Sequence, residues 1–181
     1  FILNYLVGKY LYFRILDFLA RLGSEERIKK ILGVLITASG CYMAFSAGTN
    51  NAANSVGAIV GANIVSPLTG AVMAGMGMGL GAILFGGRIM EAVGKGITEI
   101  GIVRAIFVET IGATLIFVAS LMGIPVSLNE TVTSGIIALS CASRGFRKTA
   151  RNEHVMRIAF FWLVAPFLAV GISYLLAKWI M

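Results

Sequence analysis

Amide and hydroxyl side chains interrupt a long apolar run in this chain. The run covers residues 31–64, and the polar part of it covers residues 45–55, which we call the first polar segment. Lipid hydrocarbon offers no hydrogen-bonding partner, so these side chains must face other protein segments or a water-filled cavity. This requirement limits how the chain can fold more than any other feature of its sequence.

The apolar run is too long for one straight helix across a bilayer. At about 1.5 Å per residue it would measure roughly 51 Å, whereas the hydrocarbon core is about 30 Å thick. The helix must therefore break, bend back or protrude, and residues 48–51 are the natural place for a break. An interrupted membrane helix is the best pointer in a sequence to a transport site.

The composition predicts an all-α, polytopic protein of the cell membrane. Apolar residues make up 58% of the 181 residues and charged residues 13%, whereas soluble domains average about 45–50% and about 25%. The mean hydropathy is +0.90. A chain of this length accommodates about five or six membrane elements of about 20 residues each.

The basic residues indicate orientation in a bilayer rather than binding to nucleic acid. The net charge is +7, and the basic clusters at residues 14–30, 88–104 and 144–157 flank apolar spans and contain at most one Phe, Tyr or Trp each. We expect these clusters on the cytoplasmic side. His154 lies in the third cluster and is expected to be solvated.

Two regions are predicted along the chain. Residues 1–30 form an interfacial or terminal helix and a basic connection, with Ser24 as an N-cap. Residues 31–181 form a membrane region, which contains a second polar segment, residues 123–135, and further apolar spans at residues 68–87, 105–122 and 158–180.

Glycines at a spacing of four mark the span at residues 68–87. Gly75 pairs with Gly79, and Gly77 pairs with Gly81; such pairs let membrane helices approach closely. Packing within one protomer is the favoured interpretation, and a homodimer interface is the alternative.

The two polar segments together indicate an anion site. A helix that begins inside the membrane presents free N–H groups and the positive end of its dipole. For a single Ser or Thr an interhelical hydrogen bond is the simpler explanation, but two dense clusters favour a site. No nucleotide loop, zinc spacing or nucleophile–base pattern predicts an enzyme, a metal site or a cofactor. The candidate donors are Asn50, Asn51, Asn54, Ser127, Asn129, Thr131 and Thr133.

Three motifs occur in order: GTNNAANS at residues 48–55, RIMEAVGKGITEI at residues 88–100, and GIPVS at residues 123–127. They resemble motifs of the inorganic phosphate transporter (PiT) family, and most closely its sulfate permease branch. The resemblance implies two inverted repeats with broken or re-entrant helices. Residues 31–181 would be the C-terminal transporter repeat, and an N-terminal repeat would be its partner.

Departures from the family pattern fall at the implied site. The resemblance implies that Ser127 binds the anion. Asn51 stands where the family has an acidic residue that is associated with the coupling cation. Asn129 replaces a threonine, and Glu130 replaces a histidine.

These replacements favour sulfate over phosphate. Phosphate keeps a proton near neutral pH, which a carboxylate can accept, whereas sulfate presents only acceptors and is better matched by amide N–H₂ groups. Glu130, if protonated, could donate and couple transport to a proton gradient. The alternative is that Glu130 pairs with a basic residue or faces water. The coupling ion is therefore H⁺ or Na⁺.

The predicted function is symport of a tetrahedral oxyanion, with sulfate preferred. The alternatives are an inorganic phosphate symporter, a channel or transporter of another class, and a membrane scaffold without transport. Saturable uptake that a competing anion inhibits would distinguish a symporter from a channel and from a scaffold.

Overall fold

The computed structural model of this chain describes the backbone of residues 1–21, 23–96 and 101–180, and the side chains of residues 1–21, 23–87 and 101–179. Every regular element in these ranges is helical, which confirms the all-α prediction. A π-helical turn, Val7–Leu11, joins the first two helices. The α-helices are α1 (Ile2–Leu6), α2 (Tyr12–Arg21), α3 (Glu25–Gly61), α4 (Pro67–Gly96), α5 (Ile102–Leu121), α6 (Leu128–Arg144), α7 (Phe146–Ala150) and α8 (Glu153–Ile180).

Helix α1 packs against the inner part of the fold. Asn4 is 3% exposed, and a Cβ added at Gly8 would lie 2.7 Å from Leu139 Cδ2 on α6. The absence of a side chain at Gly8 thus permits the close approach of the π-helical turn to α6. Helix α3 begins at Glu25, directly after Ser24, which occupies the N-cap position as predicted but makes no side-chain cap hydrogen bond.

Helix α3 is continuous over 37 residues, so the break expected at residues 48–51 is wrong. The hydroxyl groups of the first polar segment are satisfied without a break. Ser46 Oγ donates to the Tyr42 carbonyl at 2.9 Å, and Ser55 Oγ donates to the Asn51 carbonyl at 2.8 Å. Such bonds one turn back are compatible with a helix. At about 55 Å the helix instead exceeds the bilayer core, and its charged first turn lies at one end.

A tight turn leads from α3 into α4. Asn63 adopts a left-handed conformation (φ 57°), which Asn tolerates better than most residues. Pro67 then occupies the start of α4, where no backbone N–H is needed. Gly70 allows α3 and α4 to touch, because a Cβ there would lie 2.8 Å from Val60 Cγ2.

The glycine pairs of α4 do not pack within the described part of this chain. A Cβ added at Gly75, Gly77, Gly79 or Gly81 would meet no atom within 4 Å. Their packing within one protomer, and the alternative of a homodimer interface, therefore stay predictions. The pairs lie on an open face of α4.

The core lies where α5 contacts α3 and α6. Val108 on α5 packs with Ile136 and Leu139 on α6. Ala113 and Ile116, further along α5, are 0% exposed. These three helices form the frame that carries the polar segments.

Four described helices are long and apolar enough to cross a membrane: Glu25–Gly61, Pro67–Gly87, Ile102–Leu121 and Glu153–Trp179. The polytopic prediction is therefore confirmed. Helix α6 has only 17 residues and is not among them. His154, at the start of α8, is exposed as expected.

Truncation of a buried residue on α5 should weaken the fold. Ile116→Ala should cost about 2–4 kcal/mol, because it leaves a cavity between helices. Leu115→Ala is the matched control, since Leu115 is 44% exposed on the same helix. The midpoint of thermal unfolding in detergent should fall clearly for the first variant and little for the second. Equal losses would contradict this packing of α5.

Candidate functional site

A buried amide joins the two polar segments. Asn50 on α3 is 4% exposed. Its Nδ2 donates to the Ile124 carbonyl and to Ser120 Oγ, each at 3.1 Å. Its Oδ1 accepts from the Val126 N–H and from Asn54 Nδ2, also at 3.1 Å. The two segments are therefore in direct contact.

Ser120 is the second member of this junction and is not among the predicted site residues. Its Oγ accepts from Asn50 and, at 3.2 Å, from Thr49 Oγ1. It donates to the Ile116 carbonyl at 2.9 Å. A single hydroxyl in an apolar span is unremarkable in a sequence. Its position one turn before the second polar segment is the signal that could have found it.

Further polar contacts continue along the α3–α5 interface. Ser39 Oγ donates to Glu109 Oε2 at 2.5 Å, and Tyr42 OH lies 3.4 Å from Thr114 Oγ1. Glu109 is half-buried inside a candidate membrane span. A carboxyl group at that depth requires a polar partner, and Ser39 supplies one.

Helix α6 begins inside the second polar segment. Ser127 is its N-cap, and its Oγ accepts from the Glu130 N–H at 3.3 Å. Thr131 Oγ1 donates to the Ser127 carbonyl at 2.8 Å. Ser127 and Glu130 have the spacing of a capping box. Glu130 is exposed and lies in the first turn, where a negative charge is favourable for the helix dipole.

The start of α6 has the chemistry of an anion site. The first N–H groups of a helix have no partner within it and carry the positive end of the dipole. Ser127 and Asn129 are exposed beside these groups. The Ser127 hydroxyl accepts one bond in the cap, so its proton remains able to donate to a ligand.

The predicted residues of the first polar segment have different surroundings. Asn50 is buried, Asn51 is half-buried and Asn54 is exposed. Asn51 points about 100° around α3 from Asn50. Asn50 thus bonds directly to the second polar segment, Asn54 bonds only to Asn50, and Asn51 faces another side of the helix.

The cavity beside the first polar segment is apolar. A groove of about 400 Å³ lies between α3 and α4, and it is lined by Thr49 and by small or apolar residues that include Ala52, Val56 and Ala71. Its lining does not suit a dianion. Within residues 1–21, 23–87 and 101–179, no group of three His, Cys, Asp or Glu side chains could hold a metal ion.

Comparison with known proteins identifies the family. The model of the phosphate transporter family matches residues 16–173. Sulfate permease CysP of Bacillus subtilis is 36% identical over 154 residues, which cover 85% of this chain and 43% of that protein. The chloroplastic inorganic phosphate transporter 2-1 of Arabidopsis thaliana is 30% identical over 152 residues, which cover 77% of this chain and 26% of that protein. No solved structure matches the chain.

The chain is a multi-pass protein of the cell membrane with the helices of a permease. It belongs to the phosphate transporter family. It spans less than half the length of the relatives described above.

The N-cap of α6 should contribute measurably to stability. Ser127→Ala removes the acceptor for the Glu130 N–H and should cost about 1 kcal/mol. Ser127→Asp is the matched control, because a carboxylate oxygen also caps a helix well. Thermal unfolding in detergent should separate the two variants. An Asp variant as unstable as the Ala variant would argue against the cap.

Proposed function

We propose that the complete transporter, of which this chain forms one repeat, carries an inorganic tetrahedral oxyanion across the cell membrane by ion-coupled symport, with sulfate preferred. The observation that carries the proposal is the contact of two polar segments at the start of α6, within a chain of apolar helices. Such a junction offers hydrogen-bond donors where lipid offers none. The protein would then act as a transporter and not as an enzyme.

The donors at this junction suit sulfate. A sulfate ion has only acceptors, so it is best bound by N–H and O–H groups and disfavoured by an ionised carboxylate. Backbone N–H groups at the start of α6, the Ser127 hydroxyl and the Asn129 amide are such donors. Asn54 extends the set from α3, and Asn51, which faces another side of that helix, would donate from there once the N-terminal repeat completes the site. The identity of 36% to a sulfate permease supports sulfate, and the similarity to a phosphate transporter makes phosphate the second candidate.

Thr131 contributes indirectly in this arrangement. Its proton is donated to the Ser127 carbonyl, so it steadies the first turn of α6 rather than donating to the anion. Asn50 also has its donors engaged.

Glu130 is the candidate for proton coupling. Its side chain is exposed in the first turn of α6, close to the capping residue Ser127. Ionised, it stabilises the helix start but repels a dianion; protonated, it can donate a hydrogen bond. A proton that travels with sulfate would remove this repulsion. Sodium is the other candidate coupling ion.

The N-terminal repeat would complete the site. The open faces of α4 and α8, which have little buried surface in this chain, would contact that repeat, the lipid or a second protomer.

The proposal is tested by uptake of radiolabelled sulfate into proteoliposomes that contain the complete transporter. Uptake should saturate, be competed by thiosulfate or molybdate more than by phosphate, and respond to a pH or sodium gradient imposed separately. Competition by phosphate in preference to the others would assign the second candidate. Flux without saturation would indicate a channel, and no flux of either anion would indicate a scaffold.

The same assay tests the residues. Ser127→Ala and Asn129→Ala should each raise the KM for sulfate by about threefold to tenfold, which corresponds to one lost hydrogen bond. Ser127→Asp should abolish uptake although it keeps the helix cap. His154→Ala is the control, because His154 is exposed in the basic loop region. Equal small effects at all these positions would remove the assignment.

Restoring an acidic side chain at position 51 should impair sulfate transport. Asn51→Asp replaces an amide donor by a carboxylate that repels a dianion, so Vmax/KM for sulfate should fall by at least about tenfold. Asn51→Gln, which keeps the amide, should be less impaired. Faster sulfate uptake by the Asp variant would contradict the role of amide donors.

A further inference from the structure

We propose that Asn50 is a positioning residue: it holds the α5–α6 loop against α3 and thereby fixes the start of α6, instead of binding the anion itself. The proposal rests on the function proposed above, since it concerns the same site. It assigns different roles to neighbouring asparagines of one motif.

The first argument is the hydrogen-bonding capacity of the side chain. A primary amide has two N–H donors and one oxygen with two lone pairs. In Asn50 both donors are used, by Ser120 and Ile124, and both lone pairs are used, by Val126 and Asn54. A bound anion would have to displace one of these protein contacts.

The second argument is access. Asn50 is 4% exposed, whereas Ser127 and Asn129 are exposed. A buried amide with all its partners in place is stable where it is, because an unpaired polar group in the interior is costly.

The third argument is the place at which Asn50 holds the loop. The Ile124 N–H still bonds back to α5, through the Ala119 carbonyl at 2.9 Å. Pro125 has no N–H to donate, so the next donor is the Val126 N–H, and it bonds to Asn50. Asn50 therefore contacts the loop on both sides of Pro125.

We call the contacts of Asn50 with Ile124 and Val126 the clamp. It lies directly before the anion site. Val126 immediately precedes the N-cap Ser127, so a displacement at Val126 carries over to the cap and to the free N–H groups of α6. A binding site loses affinity for its ligand when the groups that hold its residues in place are loose, even if those residues themselves are intact. Loss of the Asn50 amide should therefore reduce anion affinity through the loop.

The experiment measures loop protection and transport in the same variants. Asn50→Ala, Ser120→Ala and Ser46→Ala are made in the complete transporter. Amide hydrogen exchange of peptides covering residues 122–130 is measured by mass spectrometry without substrate, and sulfate KM and Vmax are measured in proteoliposomes. Ser46→Ala is the control for burial: Ser46 is 0% exposed one turn before Asn50, and its hydroxyl donates to the Tyr42 carbonyl of its own helix.

Asn50→Ala should raise the exchange rate around Val126 by at least about tenfold and raise the sulfate KM by about tenfold, with a smaller change in Vmax. Ser120→Ala removes only one partner of the amide, so it should give smaller changes of both quantities in the same direction. It also keeps the proposal testable if Asn50→Ala does not fold. Ser46→Ala should change neither quantity.

Coupling between the two residues supplies a further readout. In a Ser127→Ala background, Asn50→Ala should raise KM by less than it does alone, because both act through the start of α6. Independent, multiplicative effects would point to a separate contact of Asn50 with the anion.

Two results would overturn the proposal. A raised KM with unchanged exchange around Val126, in Asn50→Ala or in Ser120→Ala, would make Asn50 a direct ligand. Faster exchange with unchanged KM would show that the clamp does not serve the site. If the complete transporter carries neither sulfate nor phosphate, the proposed function fails, whereas the exchange measurement still decides whether Asn50 holds the loop.

Discussion

The need to pair every polar group inside an apolar environment determines how this chain is arranged. Polar side chains occur within the apolar spans of α3 and α5. The hydrogen bonds of Ser39 with Glu109 and of Asn50 with Ser120 join these two helices. The most complete case is the Asn50 amide, whose partners come from its own helix, from the end of α5 and from the following loop. Removing water leaves these groups no alternative partner, so they specify register as well as contact.

The start of α6 follows from this arrangement. Short connections between antiparallel helices usually lie at the membrane surface, but here the connection is held against the middle of a 37-residue helix. The positive end of the α6 dipole and the exposed Ser127 and Asn129 are thereby presented beside α3. Capping and the proposed anion binding would use the same few atoms, because both require the first turn of a helix to be fixed and partly unpaired.

The sequence was sufficient to predict the helical class, the apolar spans and the position of Ser24 directly before α3. It was not sufficient to predict that α3 continues through residues 48–51. Length and polarity argued for a break, yet Ser46 and Ser55 bond to carbonyls one turn back and leave the helix intact. Such bonds depend on rotamers, which a pattern of residue types does not reveal.

The roles of individual side chains were the least predictable part. Asn50, Asn51 and Asn54 have the same chemistry, and only their direction around α3 separates the buried Asn50 from the half-buried Asn51 and the exposed Asn54. Ser120 was missed because its importance comes from Asn50, 70 positions earlier in the chain. Glu130 stays a candidate for proton coupling, and the bond from its N–H to Ser127 Oγ shows that it also belongs to the cap of α6.

The unbroken α3 also has a mechanical consequence. Asn50 lies 25 residues after Glu25, at about 38 Å along the axis. A stiff rod of this length converts a tilt of about 5° at its charged end into a shift of about 3 Å at the amide. Because that amide contacts the loop on both sides of Pro125, such a shift of α3 would be passed directly to the first turn of α6.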